Sequence, residues 1–140
     1  MAEKLTEELL NEISFSSKID DFVDKVDFEY SLSEYLDLLL KQHALDKKDV
    51  IKRSGIETTF GYQIFAGRRK ARRNKLLQLA FAMQLSLKEA QRLLNIAGAS
   101  ALYPKNRRDA IIIYCLQSNY DIQKADDILY DYEEESISSM

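Results

Sequence analysis

Apolar residues recur every three or four positions along most of this 140-residue chain, which is the spacing of amphipathic helices and not of strands. In SLSEYLDLLLKQHA, residues 31–44, one stripe is formed by Leu32, Tyr35 or Leu36, Leu39 and Leu40. This stripe predicts a first core helix at about 33–43, with Ser33 able to cap its start. One proline and four glycines are too few to break the chain often. The pattern therefore predicts an all-α protein.

Two shorter helices follow. Asp46 is placed to cap the first of them, and Gly55 to end it, because glycine is favoured just after a helix C-terminus. The second is predicted at about 58–66 and stops at Gly67. Only about three residues, 54–56, separate the two, and so tight a turn makes the helices cross steeply.

The second half of the chain repeats its apolar pattern. Residues Arg73 to Ala97 align without gaps on Arg108 to Tyr132, at an offset of 35. The alignment predicts two similar helical hairpins that stack through equivalent faces, joined by GASALYPKN. The hairpins are expected at about 73–84 with 87–97 and at about 108–117 with 122–132.

The net charge of -3 conceals three segments of different sign. Residues 1–46 carry four Lys/Arg against twelve Asp/Glu, residues 47–75 carry ten against two, and residues 76–140 carry six against nine. The middle is a basic island that includes GRRKARRNK, residues 67–75. Because salt confines electric fields to about 8 Å, such an island can bind a polyanion although the whole molecule is acidic.

A resemblance to the lambda-repressor-like helix-turn-helix domains of bacterial and phage regulators, the XRE family, covers about 32–97. It is carried by LDKKDVIKRSGIETTFGYQIFAGRRKARRNKLLQLAFAMQLSLKEAQRLL. In that family a turn glycine precedes an apolar residue, a polar start of the recognition helix, an apolar residue near its end and a second glycine. The matching residues are Gly55, Ile56, Glu57-Thr58-Thr59, Ile64 and Gly67.

The chain departs from the family pattern at two positions. Ile51 stands where the family has a small residue between the two helices, and Gly61 stands where it has a branched apolar residue. An interior glycine costs a helix about 1 kcal/mol. We expect Gly61 to make room for the bulkier Ile51, so that a Gly61→Val change produces a clash.

The resemblance implies a sequence-specific regulator of transcription, a repressor acting as a homodimer on double-stranded DNA, with a helix in the major groove. The base-contacting candidates are Glu57, Thr58, Thr59, Tyr62 and Gln63. The phosphate-contacting candidates are Lys47, Lys48, Arg68, Arg69, Lys70, Arg72 and Arg73. Glu57 has an equal alternative as a helix-start carboxylate favoured by the dipole, and Tyr62 can equally pack on the outside of the helix.

The basic residues that open the helix after Gly67 oppose the helix dipole, which disfavours cations at a helix start. Their placement therefore indicates a polyanionic neighbour. Joint neutralisation of Arg69, Lys70, Arg72 and Arg73 is expected to abolish DNA binding and to leave the fold intact or slightly strengthened.

Four regions are predicted. They are an acidic N-terminal arm at 1–31, the helix-turn-helix domain at 32–97, a C-terminal hairpin packed on it at 98–132 and an acidic, serine-containing tail at 133–140. The arm can lie across the basic face and weaken DNA binding, or dock its apolar residues on the core. A different function is an adaptor that binds protein partners through the arm and the C-terminal hairpin. The run of basic residues after Gly67 favours DNA binding over the adaptor function.

Features of an enzyme or a metal site are scarce. His43 is the sole histidine and Cys115 the sole cysteine, so an ordinary zinc site is not expected. His43 is expected to cap or pack at the end of the first helix, and Cys115 to be a buried thiol. No phosphate-cradling glycine motif occurs. The start lacks the charge and apolar pattern of a signal peptide, so we expect a cytoplasmic, nucleoid-associated protein with no cofactor and no membrane partner.

Overall fold

The computed structural model describes residues 30–138, and all regular structure in that range is helical. The all-α prediction is confirmed for these residues. The acidic arm, up to residue 29, and residues 139–140 lie outside the described residues. The seven helices are α1 Leu32–Gln42, α2 Lys47–Ser54, α3 Thr58–Phe65, α4 Arg73–Ala82, α5 Leu87–Ile96, α6 Arg107–Gln117 and α7 Ile122–Asp131.

Helix α1 begins one residue before its predicted start. Ser31 accepts from the Glu34 N–H, and the Glu34 carboxylate accepts from the Ser31 N–H, which completes a capping box. The assignment of the cap to Ser33 was therefore wrong. The Ser33 hydroxyl donates instead to the carbonyl oxygen of Phe65 at 2.6 Å, so it ties α1 to the end of α3.

The predicted turn between α2 and α3 is present. Asp46 caps α2 by accepting from the Lys48 N–H, and Gly55 ends it at φ 76°, in the left-handed region. The Ser54 hydroxyl accepts from the Ile56 N–H at 3.1 Å, which fixes the turn from inside. Three residues, 55–57, separate the two helices.

The two helix pairs α4–α5 and α6–α7 confirm the predicted repeat. Their turns contain Gln84 at φ 52° and Asn119 at φ 57°, two residues that the 35-residue offset brings into register. The turn between α1 and α2 has Ala44 at φ 52° in the same place. The turn conformation therefore occurs three times within residues 30–138, whereas direct packing of one helix on the next is shown for α4–α5 and α6–α7. The pair α6–α7 is called the third hairpin below.

The repeat extends to polar contacts. Each of the two arginines in register donates to two successive carbonyl oxygens that lie 27 and 28 residues later in the chain. These are Arg73 to Ser100 and Ala101, at 3.0 Å each, and Arg108 to Glu135 at 2.8 Å and Ser136 at 3.2 Å. The likeness of the hairpins therefore includes the segment that follows each of them.

One hydrophobic core joins the hairpins. Leu36, Leu76, Leu93 and Ile112, from four different helices, are all fully buried within it. Cys115 is also buried, as expected, and burial raises the pKa of its thiol. Across residues 30–138, no helix combines the length and the apolar character needed to span a bilayer.

Candidate nucleic-acid interface

Helix α3 has one buried and one exposed side. Gly61, Ile64 and Phe65 are buried, whereas Thr58 and Thr59 at the start of the helix are exposed. Two further base-contacting candidates lie on the same helix. Tyr62 is 41% exposed and Gln63 is half-buried. These four candidates therefore lie on one accessible side of α3, and Gln63 is the one among them that is partly buried.

Glu57 caps α3. Its carboxylate oxygens accept from the backbone N–H groups of Thr59 at 3.1 Å and Phe60 at 2.8 Å. These two hydrogen bonds, first that from Phe60, hold the pKa of Glu57 below its ordinary value. Of the two roles expected for Glu57, the structure shows that of the helix-start carboxylate.

Gly61 lies where α3 crosses α2. A Cβ built on it would stand 3.2 Å from Cγ1 of Ile51 and 2.6 Å from Cγ2, and the second distance is closer than non-bonded carbon atoms approach. The expected compensation between Gly61 and Ile51 is therefore present. The close contact sets how near α3 lies to α2, and thereby how far its outer side chains project.

Exposed cations surround the end of α3. Lys48, Arg68, Arg69, Lys70 and Arg72 are exposed, and Lys47 is half-buried. The Arg69 guanidinium stands 5.2 Å from the ring centroid of Phe60, and the Lys47 ammonium 5.7 Å from that of Phe65. Both cations thus rest on aromatic rings of α3, which limits the positions they sample.

Arg73 has a different environment from the other phosphate-contacting candidates. Its guanidinium donates to both carboxylate oxygens of Asp109, at 3.0 and 2.9 Å, in addition to the carbonyl oxygens of Ser100 and Ala101. These bonds use four of its five N–H donors. The structure therefore contradicts the expectation that Arg73 can be neutralised without harm to the fold.

Asp109 is the buried partner in this pair, with 6% of the residue exposed. Burial by itself raises the pKa of Asp109, but hydrogen bonds from the Arg73 guanidinium and the Tyr103 N–H outweigh it and hold the pKa below its ordinary value. Sequence reasoning aligned Arg73 with Arg108 but did not identify Asp109 as its partner. No local signal links two residues 36 positions apart.

The start of α4 differs from every other helix start within residues 30–138. Arg72 occupies its N-cap position and makes no side-chain cap hydrogen bond, and its first turn has no acidic residue. The other six helices each have a side-chain oxygen that accepts from a backbone N–H at this point. The positive end of α4 therefore adds to the field of the surrounding cations, as the charge pattern of the sequence indicated.

The sole histidine takes part in a contact between two helices. His43 ends α1, and its Nε2 lies 2.8 Å from the Glu89 carboxylate on α5. This position agrees with the expected capping and packing role. In the part of the chain that the structure describes, no group of three or more His, Cys, Asp or Glu side chains is arranged to hold a metal ion.

Comparison with known proteins adds no assignment to these observations. No protein-family model, no curated protein and no solved structure matches the chain.

Proposed function

We propose that the chain is a sequence-specific double-stranded DNA-binding regulator, with α1–α5 forming a lambda-repressor-like helix-turn-helix domain and α3 as its recognition helix. In this proposal α2 crosses α3, and α6–α7 extend the domain. The family resemblance of the sequence supports the assignment. The protein then acts in the cytoplasm on nucleoid DNA.

One observation carries this proposal: a short helix with an exposed polar start is followed directly by a cluster of exposed cations. Thr58 and Thr59 are exposed on α3, and Arg68, Arg69 and Lys70 follow its end. The major groove admits one α-helix, and backbone phosphates flank it on both sides. A polar helix start with cations next to it is complementary to that surface.

Each proposed base contact follows from the chemistry of its side chain. Thr58 and Thr59 offer hydroxyl groups and can touch a thymine methyl, and Gln63 can bond an adenine edge through its amide. Glu57 fixes the start of α3, because both its oxygens are engaged there. Tyr62 contributes a phenol on the same exposed part of the helix.

The proposed phosphate contacts come from the five exposed cations and from Lys47. Arg73 is left out of this set because its guanidinium is engaged with Asp109 and two backbone carbonyls. Its role in the proposal is to hold the start of α4, and with it Arg72, against the third hairpin.

A titration of the protein on duplex DNA at several salt concentrations tests the phosphate contacts. Each phosphate contact contributes about -0.9 to the slope of log affinity against log salt. Several exposed cations predict a steep slope between about 50 and 200 mM salt. A flat and weak response would contradict DNA binding.

The adaptor function has one observation in its favour. The third hairpin and its flanking segments carry four exposed tyrosines, of which Tyr130 is 81% exposed, and tyrosine is enriched at protein interfaces. The other three are Tyr103, Tyr114 and Tyr132. The same tyrosines can serve a homodimer of the regulator. A protein that binds no duplex but forms a stable complex through these tyrosines would be an adaptor.

A further inference from the structure

A cavity of about 560 Å³ lies between the end of α3, the start of α4 and the segment after α7. Phe60 and Gln78 come from α3 and α4, and Glu135 and Ile137 close the opposite side. The volume falls within the range of about 300–1,000 Å³ that is usual for small-molecule sites. None of the proposed base contacts lines this cavity.

The lining is strongly cationic. Among the residues that the structure describes, Glu135 is the one carboxylate in the lining, against six cationic side chains, and of these six Arg73 is already paired with Asp109. Five cations therefore face one acid across a single concavity. These are Arg69, Lys70, Arg72, Lys75 and Arg108. The start of α4, which has no capping side chain, adds its partial positive charge to the same space.

The hydrogen-bond partners of Arg108 differ from those of its counterpart in the preceding repeat. The equivalent arginine of the preceding repeat, Arg73, donates to two carbonyl oxygens in the corresponding positions and, in addition, to both carboxylate oxygens of Asp109. Arg108 has the two carbonyls and the Asn74 side-chain oxygen at 3.1 Å, and no carboxylate within residues 30–138 forms an ion pair with it. The Asn74 oxygen thus accepts from Nη2 of Arg108 as one Asp109 oxygen does from Nη2 of Arg73, and Nη1 of Arg108 is left without the second acceptor that Nη1 of Arg73 has within the described residues.

A buried polar atom accompanies the cations. Gln78, which is 2% exposed, donates from Nε2 to the Ser54 carbonyl, whereas its Oε1 has no hydrogen-bond partner within the described residues. An unsatisfied buried acceptor costs about 1–3 kcal/mol, so a donor beside it is favoured. The Phe60 ring at the rim offers an apolar face as well.

We propose that this cavity binds a small molecule that carries a diphosphate group, such as a nucleoside diphosphate. Two linked phosphates place several negative charges within one concavity, which matches the excess of cations and the Nη1 group of Arg108, the one guanidinium nitrogen of this residue that makes no hydrogen bond within residues 30–138. DNA is the less suitable occupant because Arg108 is half-buried and Gln78 buried in the cavity lining, whereas Arg68 is exposed outside it.

Occupation of the cavity has a consequence that rests on the proposed function. Arg69, Lys70 and Arg72 belong both to the cavity lining and to the proposed phosphate contacts. A bound diphosphate neutralises these side chains, so it lowers the affinity for duplex DNA. Because binding free energies are reciprocal, DNA lowers the affinity for the diphosphate by the same factor.

Isothermal titration of the full chain with magnesium-free pyrophosphate, ADP and adenosine tests the proposal. Pyrophosphate and ADP are expected to bind with Kd below about 1 mM, and adenosine is not. Equal affinities for the two anions identify the diphosphate as the recognised group, and tighter binding of ADP adds the nucleoside. Failure of both anions to bind, or equal binding of adenosine and ADP, overturns the proposal.

The variant for this test is Arg72→Gln with Lys75→Gln. Loss of two cations at a helix start does not destabilise α4, so the variant is expected to fold, and circular dichroism checks that it does. Its affinity for pyrophosphate is expected to fall at least about tenfold. The matched control, Lys88→Gln with Lys105→Gln, removes two exposed charges outside the cavity and keeps wild-type affinity. Equal affinities of the two variants contradict the proposal.

A duplex titration of the same preparation separates this proposal from the proposed function. Binding of pyrophosphate without binding of duplex supports the cavity site and contradicts DNA recognition. Binding of duplex without either anion contradicts the cavity site and leaves DNA recognition intact.

Discussion

Gly61 and Ile51 are matched across the crossing of α2 and α3, because the space that a Cβ of residue 61 would need is filled by the Ile51 side chain. Ile51 is 2% exposed, and its branched Cβ restricts its rotation, so it has no room to move aside. The two departures from the family pattern are thus one structural feature.

Gly61→Ala changes the free energy of unfolding through two effects of opposite sign. Helix propensity alone favours alanine by about 1 kcal/mol, whereas overpacking costs about 1–3 kcal/mol. The contact of 2.6 Å predicts that overpacking prevails and that the free energy of unfolding falls. Chemical denaturation measures it.

A double-mutant cycle with Ile51→Ala provides the control for that prediction. Ile51→Ala alone leaves a cavity and costs about 2–5 kcal/mol. In its presence the alanine at 61 no longer meets a side chain, so Gly61→Ala should become neutral or stabilising. Strictly additive effects would show that the two positions do not compensate.

Arg73→Gln is expected to destabilise the fold, unlike changes of the exposed arginines near it. Removal of the guanidinium leaves Asp109 charged and buried, which costs about 3 kcal/mol. Arg73→Lys restores the charge but not the two-pronged geometry, so it should recover only part of the loss. Arg69→Gln is the matched control, since Arg69 is exposed, and thermal unfolding compares the three. Equal melting temperatures for Arg73→Gln and Arg69→Gln would contradict the assigned role.

Acid sensitivity is expected to involve Glu89. Burial raises its pKa, but the Ser86 N–H and His43 outweigh burial and hold the pKa below its ordinary value of 4.5. A carboxyl group with a lowered folded-state pKa stabilises the protein fully above the unfolded value, and this stabilisation is lost as the pH falls through the folded value.

Glu89→Gln should therefore reduce the dependence of unfolding free energy on pH below about 4.5. Denaturant unfolding at a series of pH values measures the slope. Glu34→Gln is a suitable comparison, because Glu34 completes the corresponding capping box of α1 without a histidine partner. A wild-type slope in the Glu89→Gln protein would contradict the role of Glu89.

Arg69→Gln, Lys70→Gln and Arg72→Gln combined should weaken DNA binding without unfolding the protein. If each side chain neutralises one phosphate, the salt slope becomes shallower by about 0.9 for each. Circular dichroism and fluorescence anisotropy on the same samples separate folding from binding. Lys88→Gln with Lys105→Gln should leave the slope unchanged, and an unchanged slope in the triple variant would exclude these residues from the interface.

Local sequence signals predicted the helices well. Asp46 caps the start of α2 and Gly55 ends it, as expected, because caps act through neighbouring backbone groups. The error at Ser33 is also local, since a complete capping box at Ser31 and Glu34 outcompetes a lone serine two residues later.

Contacts between distant residues were harder to predict. The pairing of Arg73 with Asp109 depends on how α4 and α6 pack, and no short pattern encodes it. The 35-residue repeat was visible because apolar positions recur in step, yet the matching carbonyl contacts of Arg73 and Arg108 emerged only from the structure. The cationic cavity likewise requires the segment around Ile137 to fold back onto α4.

Selection of binding sites from a random duplex library tests most directly whether α3 reads bases. The wild-type protein is expected to enrich a defined sequence. Thr58→Ala with Thr59→Ala, which leaves the Glu57 cap and the exposed cations in place, should lose preference at specific positions and keep its salt slope. Enrichment of no sequence by the wild type, or of the same sequence by both proteins, would contradict recognition through α3.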